Sequence, residues 1–74
     1  MLVGSADATD CVRPKDSAAS GAEFRAAPVG DSQSLGTLAR GQTAPFIASV
    51  PRWYETRTQA GEVAFVSKQL TQIV

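Results

Sequence analysis

Trp53-Tyr54-Glu55-Thr56-Arg57-Thr58-Gln59-Ala60-Gly61-Glu62-Val63-Ala64-Phe65-Val66-Ser67 is the stretch that decides the fold. Two runs rich in aromatic and β-branched residues flank Gln59-Ala60-Gly61, which predicts a β-hairpin with a loop of about three residues. Neighbours along a strand point to opposite faces, so Trp53 and Tyr54 cannot both be core. The same alternation separates Phe65 from Val66. One member of each pair is therefore expected to face outward, where an aromatic ring can stack on a peptide or sugar. The alternative is that Trp53 and Phe65 cap the open end of a small core, because large aromatics dominate small cores.

Upstream, Ala22, Phe24 and Ala26 alternate with Glu23, Arg25 and Ala27, the period of a strand with one buried face, and Pro28 ends it. Val29 to Ser34 has the composition of a loop. Leu35 and Leu38 are expected to point inward around Gly36, and Arg40-Gly41 reads as a tight turn with glycine at positive φ. A strand follows from Thr43 to Ser49, with Ala44, Phe46 and Ala48 on one face. Pro45 lacks a donor, which predicts an edge or a bulge there, and Val50-Pro51 reads as a connection. Nearer the start, Ala8 to Arg13 makes a first strand stopped by Pro14, and Lys15 to Gly21 forms a surface loop. Residues 1–7 read as a flexible tail, leaving 8–74 as the folded unit. Only Ser67 to Leu70 is compatible with helix. About six short strands imply an all-β protein, a small barrel rather than a larger sandwich.

The chain has 74 residues, enough for one small domain. A chain this size buries only ~60% of the surface its unfolded form exposes, so its stability is expected to be modest. Apolar residues at 43% against 19% charged describe a globular chain rather than a disordered one. Seven basic and seven acidic residues cancel, and no Lys/Arg cluster stands in the sequence, which argues against nucleic acid and anionic membrane as partners. No run approaches the ~20 apolar residues of a membrane span. The first residues lack the basic flank and apolar run of a signal peptide, and Asp10 before Cys11 spoils a lipoprotein cleavage site.

Catalytic and metal chemistry find no support in the residues. Cys11 is the lone cysteine and there is no histidine, so a catalytic thiol has no imidazole base and the usual metal ligand is missing. Burial as a small apolar residue is the expected role of Cys11. The seven carboxylates show no metal-ligand spacing, and no phosphate-cradling glycine loop or Gly-x-Ser-x-Gly elbow occurs. No cofactor is expected.

Several short marks occur in order between residues 22 and 70: the strand Glu23-Phe24-Arg25-Ala26-Ala27-Pro28, the pair Leu35-Gly36-Thr37-Leu38 broken by glycine, the turn Arg40-Gly41, then Trp53, and finally Gly61-Glu62-Val63-Ala64-Phe65-Val66-Ser67. In this the chain resembles bacterial SH3-like domains. The resemblance implies an SH3-like barrel of roughly five to seven short strands acting as a non-catalytic binding module. It looks especially like the version at the C-terminus of secreted metallo-β-lactamase-fold hydrolases, through Trp53-Tyr54, Arg57 and Val66-Ser67-Lys68. Ala64 stands where that pattern has glycine and Thr56 where it has an apolar core residue, changes expected to thin the core.

The resemblance also buries Val66, which leaves Phe65 on the surface, and it places Arg25 at a strand end, where it could hold a carboxylate or brace a loop, with the polar loop Asp31 to Ser34 beside it. The candidate ligand-binding residues are therefore Trp53, Tyr54, Phe65, Arg25, Asp31 and Ser32. The implied partner is a peptide or cell-wall fragment, in an extracytoplasmic setting. A structural role is the alternative, in which the barrel packs on a parent enzyme domain or forms a homodimer.

Overall fold

Alternation of buried and open positions builds the sheet in which the candidate residues sit. In β7 (Val63–Ser67) Ala64 and Val66 are fully buried while Val63 is exposed and Phe65 and Ser67 are half-covered. Its hairpin partner β6 (Trp53–Arg57) pairs Trp53 with Ser67, Tyr54 with Val66, Glu55 with Phe65 and Thr56 with Ala64. The Thr58 amide donates to the Glu62 carbonyl (2.9 Å) and Gly61 has φ +86°, so the expected three-residue loop closes the hairpin. The computed structural model describes residues 10–74; the tail expected over residues 1–7, and Ala8 and Thr9 of the expected first strand, lie outside the described residues.

The remaining strands are β1 (Cys11–Pro14), β2 (Ala22–Arg25), β3 (Ser34–Leu38), β4 (Ala44–Pro45), β5 (Ala48–Val50) and β8 (Thr71–Ile73). They form a five-stranded antiparallel sheet in the order β3-β2-β7-β6-β5 and a three-stranded sheet in the order β4-β1-β8. The architecture is all-β, as expected for a small SH3-like fold, with eight strands among the described residues rather than five to seven. No helix in the described residues is long and apolar enough to cross a membrane.

The two extra strands have separate causes. The expected strand from Thr43 to Ser49 is broken at Phe46-Ile47, where the chain leaves one sheet for the other: the Phe46 amide donates to the Asp10 carbonyl (3.1 Å) and the Ile47 amide to the Glu55 carbonyl (3.0 Å). Pro45 lies in β4, an edge strand, where its missing donor costs no ladder bond. After Ser67, residues 68–70 make a turn and not a helix, and β8 then pairs with β1. Pro14 is the last residue of β1, opposite Thr71, and so belongs to the strand it was expected to stop. Strand β2 ends at Arg25, where its register against β3 shifts, two residues before the expected end. Val50 belongs to β5, and the connection is Pro51-Arg52.

The core is small. Val12, Phe24, Leu38, Ala44, Ala64 and Val66 form the buried cluster, with Leu35, Phe46 and Tyr54 packed against it and partly covered. Leu38 is therefore inside as expected, whereas Leu35 is only half-buried. Burying a valine, leucine or phenylalanine side chain is worth ~1.5–3 kcal/mol, and two of the six cluster residues are alanines. Cys11 is half-buried rather than buried.

Thr56 and Thr71 are buried at 0% and 1% exposure, and each hydroxyl has a partner. Thr56 Oγ1 donates to the Pro45 carbonyl (2.6 Å), joining β6 to β4 across the two sheets, and Thr71 Oγ1 donates to the Ser67 carbonyl (2.6 Å). Thr56 thus occupies its apolar position at no polar deficit, because a buried hydroxyl is costly only when unpaired.

Candidate ligand-binding cleft

Strand alternation turns Tyr54, Thr56, Ala64 and Val66 to the core, which sends Trp53, Glu55, Arg57, Val63, Phe65 and Ser67 to the opposite face of the large sheet. Arg25 joins that face because it pairs with Phe65 on the other side of β7. The outer face therefore carries a transverse row Arg25, Phe65, Glu55, Ala48, and beside it a row Ser67, Trp53, Val50. Trp53 and Phe65 are diagonal neighbours on this face, within reach of one extended ligand.

Next to Trp53 the surface opens into a cleft of about 850 Å³, walled by Lys15, Pro28–Gly30, Pro51–Arg52 and Ser67–Gln69. Its volume is in the range of small-ligand sites, although it is open to solvent. One wall is the turn joining β5 to β6. Val50 pairs with Trp53, so only Pro51 and Arg52 make the bend. Proline fixes its own φ near −65°, which leaves the change of direction to Arg52, found at φ +71°. Glycine ordinarily takes that second turn position, and a left-handed backbone costs an L-residue ~1–2 kcal/mol. The turn is held by the Lys68 amide, which donates to the Arg52 carbonyl (3.0 Å).

The opposite wall belongs to the loop between β2 and β3, and Arg25 and Ser32 shape it. Arg25 Nη1 donates to the Ser32 carbonyl (2.8 Å), and its Nη2 pairs with the Glu23 carboxylate. Ser32 Oγ lies 2.8 Å from the Val29 carbonyl and 3.0 Å from the Ala27 carbonyl. The Ala26 amide donates to Gln33 (2.9 Å). These bonds tie the loop to the strand end and set Pro28, Val29 and Gly30 against the cleft.

Of the six residues singled out in the sequence, only Trp53 lines the cleft. Phe65 and Arg25 share its sheet face but lie outside the cleft; Ser32 faces its own loop and Asp31 is exposed beyond the lining. Tyr54 is on the core side, edge-on to Phe46 with centroids 5.8 Å apart, and Lys68 Nζ stands 5.1 Å from its ring centre and 2.7 Å from Ser49 Oγ. The sequence reading missed Lys15, Val29, Arg52 and Lys68, which come from four separate segments. The Pro51-Arg52 pair ahead of Trp53 was the available signal, a proline turn whose next position has an arginine in place of glycine.

No three Asp, Glu or Cys side chains converge as a metal site among the described residues. No curated protein and no solved structure matches the chain. Residues 20–72, well over half of the chain, match the family model described as Bacterial SH3 domain. That span runs from the turn before β2 into β8 and holds every cleft residue but Lys15, and the chain belongs to the bacterial SH3 domain family.

Proposed function

We propose that this domain binds an extended peptide, a cell-wall peptide fragment being the favoured class, laid in the cleft at Trp53 and across Phe65. Bacterial SH3 domains are in general non-catalytic binding modules. The observation that carries the reading is the placement of Trp53, half-buried and lining an open cleft, with Phe65 diagonal to it on one face. Two rigid aromatics supply contact area at little entropic cost, beside the tied loop from Pro28 to Gly30. An interface this small buries too little surface for tight association, so affinity is expected in the high micromolar range or weaker.

A structural docking role is the second reading, and the edge strand β8 favours it. Leu70, Ile73 and Val74 are 40%, 40% and 50% exposed along a sheet edge that is unpaired among the described residues, a surface suited to a parent domain or a second copy.

Titration of cell-wall peptide fragments into isotope-labelled protein tests the proposal. Amide shifts at Trp53, Phe65 and Pro28–Gly30 neighbours, lost in a folded Phe65→Ala variant, are expected. No shifts at millimolar ligand, or a dimer that protects β8, would replace it with the docking role.

A further inference from the structure

We infer that the cleft is selective for a free carboxylate at the end of its peptide ligand, gripped by Arg52 with Lys15 beside Trp53. The inference rests on the cleft being a peptide site. Charge is its first support. The chain is neutral overall, yet the cleft lining includes Lys15, Arg52 and Lys68, the last with its ammonium turned away, and neither an aspartate nor a glutamate. Asp16, the neighbour of Lys15 in sequence, lines a separate hollow with Arg13 and Arg40.

The three cations are not equivalent. Lys68 already places its ammonium against Ser49 Oγ and the Tyr54 ring, on the core side of the β5–β6 pair. The side chains of Lys15 and Arg52 make no hydrogen bond or ion pair among the described residues, where the sole ion pair is that of Arg25 with Glu23. Within the described residues, each keeps its full set of donors for a ligand. Arg52 is also the residue with left-handed backbone in the turn at the cleft wall. An arginine held where glycine would be unstrained points to a function for its side chain, and unusual backbone of this kind clusters at ligand sites.

The guanidinium plane presents two parallel donors that match the two oxygens of a carboxylate, and Lys15 adds a second positive charge. Phosphate has the same attraction for arginine. The remainder of the lining decides between them: Pro28, Val29, Pro51 and Trp53 make an apolar surround that fits the terminal side chain of a peptide.

The test uses acetyl-Ala-Ala-Ala with a free carboxylate, the same peptide as its C-terminal amide, and inorganic phosphate, each followed by Trp53 fluorescence and amide shifts at low salt. The acid is expected to bind at least ~10-fold more tightly than the amide, with phosphate weaker than the acid. In Arg52→Asn, whose side chain tolerates the turn backbone but carries no charge, the preference should fall below ~3-fold. Lys15→Gln should lower it by a smaller factor. Equal binding of acid and amide at Trp53 would overturn the carboxylate inference and leave the peptide cleft standing. Phosphate binding as tight as the acid would also overturn it, and no shift from either peptide would remove both readings.

Discussion

Gly21→Ala is the substitution whose cost the structure specifies most sharply. Gly21 precedes β2 with φ +78°, and a Cβ built there would stand 2.3 Å from the carbonyl oxygen of Leu38 and 3.2 Å from the Ala39 Cα. Gly61 has a similar φ of +86°, but a Cβ added to it meets nothing within 4 Å. The left-handed backbone term, ~1 kcal/mol or a little more, is therefore common to both sites. The clash belongs to Gly21 alone. It cannot be relieved by rotating a side chain, because the obstacle is the backbone of β3, where Leu38 pairs with Ala22 and fills the core. Opening that contact resembles overpacking, which costs ~1–3 kcal/mol. Gly21→Ala should then destabilise by about 2–4 kcal/mol and Gly61→Ala by about 1 kcal/mol. A domain of this length has ~4–11 kcal/mol in total, so the first variant should be severely weakened. Urea unfolding followed by the fluorescence of Trp53 measures both, with midpoint losses of ~2–4 M and ~1 M at a slope of ~1 kcal/mol/M. Gly30→Ala, with open space around it and no positive φ, serves as a control. If Gly21→Ala costs within 0.5 kcal/mol of Gly61→Ala, a difference too small to resolve against measurement error, the packing of Gly21 on Leu38 is refuted.

Thr56→Val exchanges a hydroxyl for a methyl at a fully buried site; the methyl returns ~0.8 kcal/mol, while loss of the bond to the Pro45 carbonyl costs ~1–3 kcal/mol, so a net loss of about 0.2–2 kcal/mol is expected by denaturant titration. A stabilised variant would show that the hydroxyl contributes nothing. Leu38→Ala and Val66→Ala, at 3% and 0% exposure, should each cost about 2–4 kcal/mol, and a loss under ~0.5 kcal/mol would place that side chain outside the core. Arg25→Ala should leave the sheet intact but raise hydrogen exchange at Ala26, whose amide bonds Gln33, by several-fold; unchanged exchange would show that the Arg25–Ser32 bond does not hold the loop.

Local chemistry carried the parts of the fold that were legible in the sequence. Alternation alone separated Val66 from Phe65 and Tyr54 from Trp53, and the glycine at position 61 announced the hairpin loop. Pro45 was read as an edge residue from its missing donor, and β4 is an edge. The break at Phe46-Ile47 had no such mark, because a strand that changes sheets and one that continues have the same composition; the change is decided by partners on β1 and β6. Strand β8 was invisible for a similar reason. Thr71-Gln72-Ile73 is too short to declare itself and is ordered by β1, at the other end of the chain. The cleft was half legible. Alternation showed that one of Trp53 and Tyr54 had to face outward without saying which, and Lys15, Val29, Arg52 and Lys68 meet only in three dimensions.

Cys11 and Val74 exchange both of their backbone hydrogen bonds, Cys11 N–H to the Val74 carbonyl at 3.2 Å and Val74 N–H to the Cys11 carbonyl at 2.8 Å. In an antiparallel pair of this kind the two Cα atoms stand only ~5.5 Å apart. The stretch from Cys11 to Val74, whose two flanks lie this close, can be spliced into a single surface loop of a host protein without prising that loop open. By the same geometry, a short linker could join the two positions and the chain be reopened at Gln59-Ala60, giving a circular permutant with the cleft at the opposite end of the β6–β7 hairpin from the new ends.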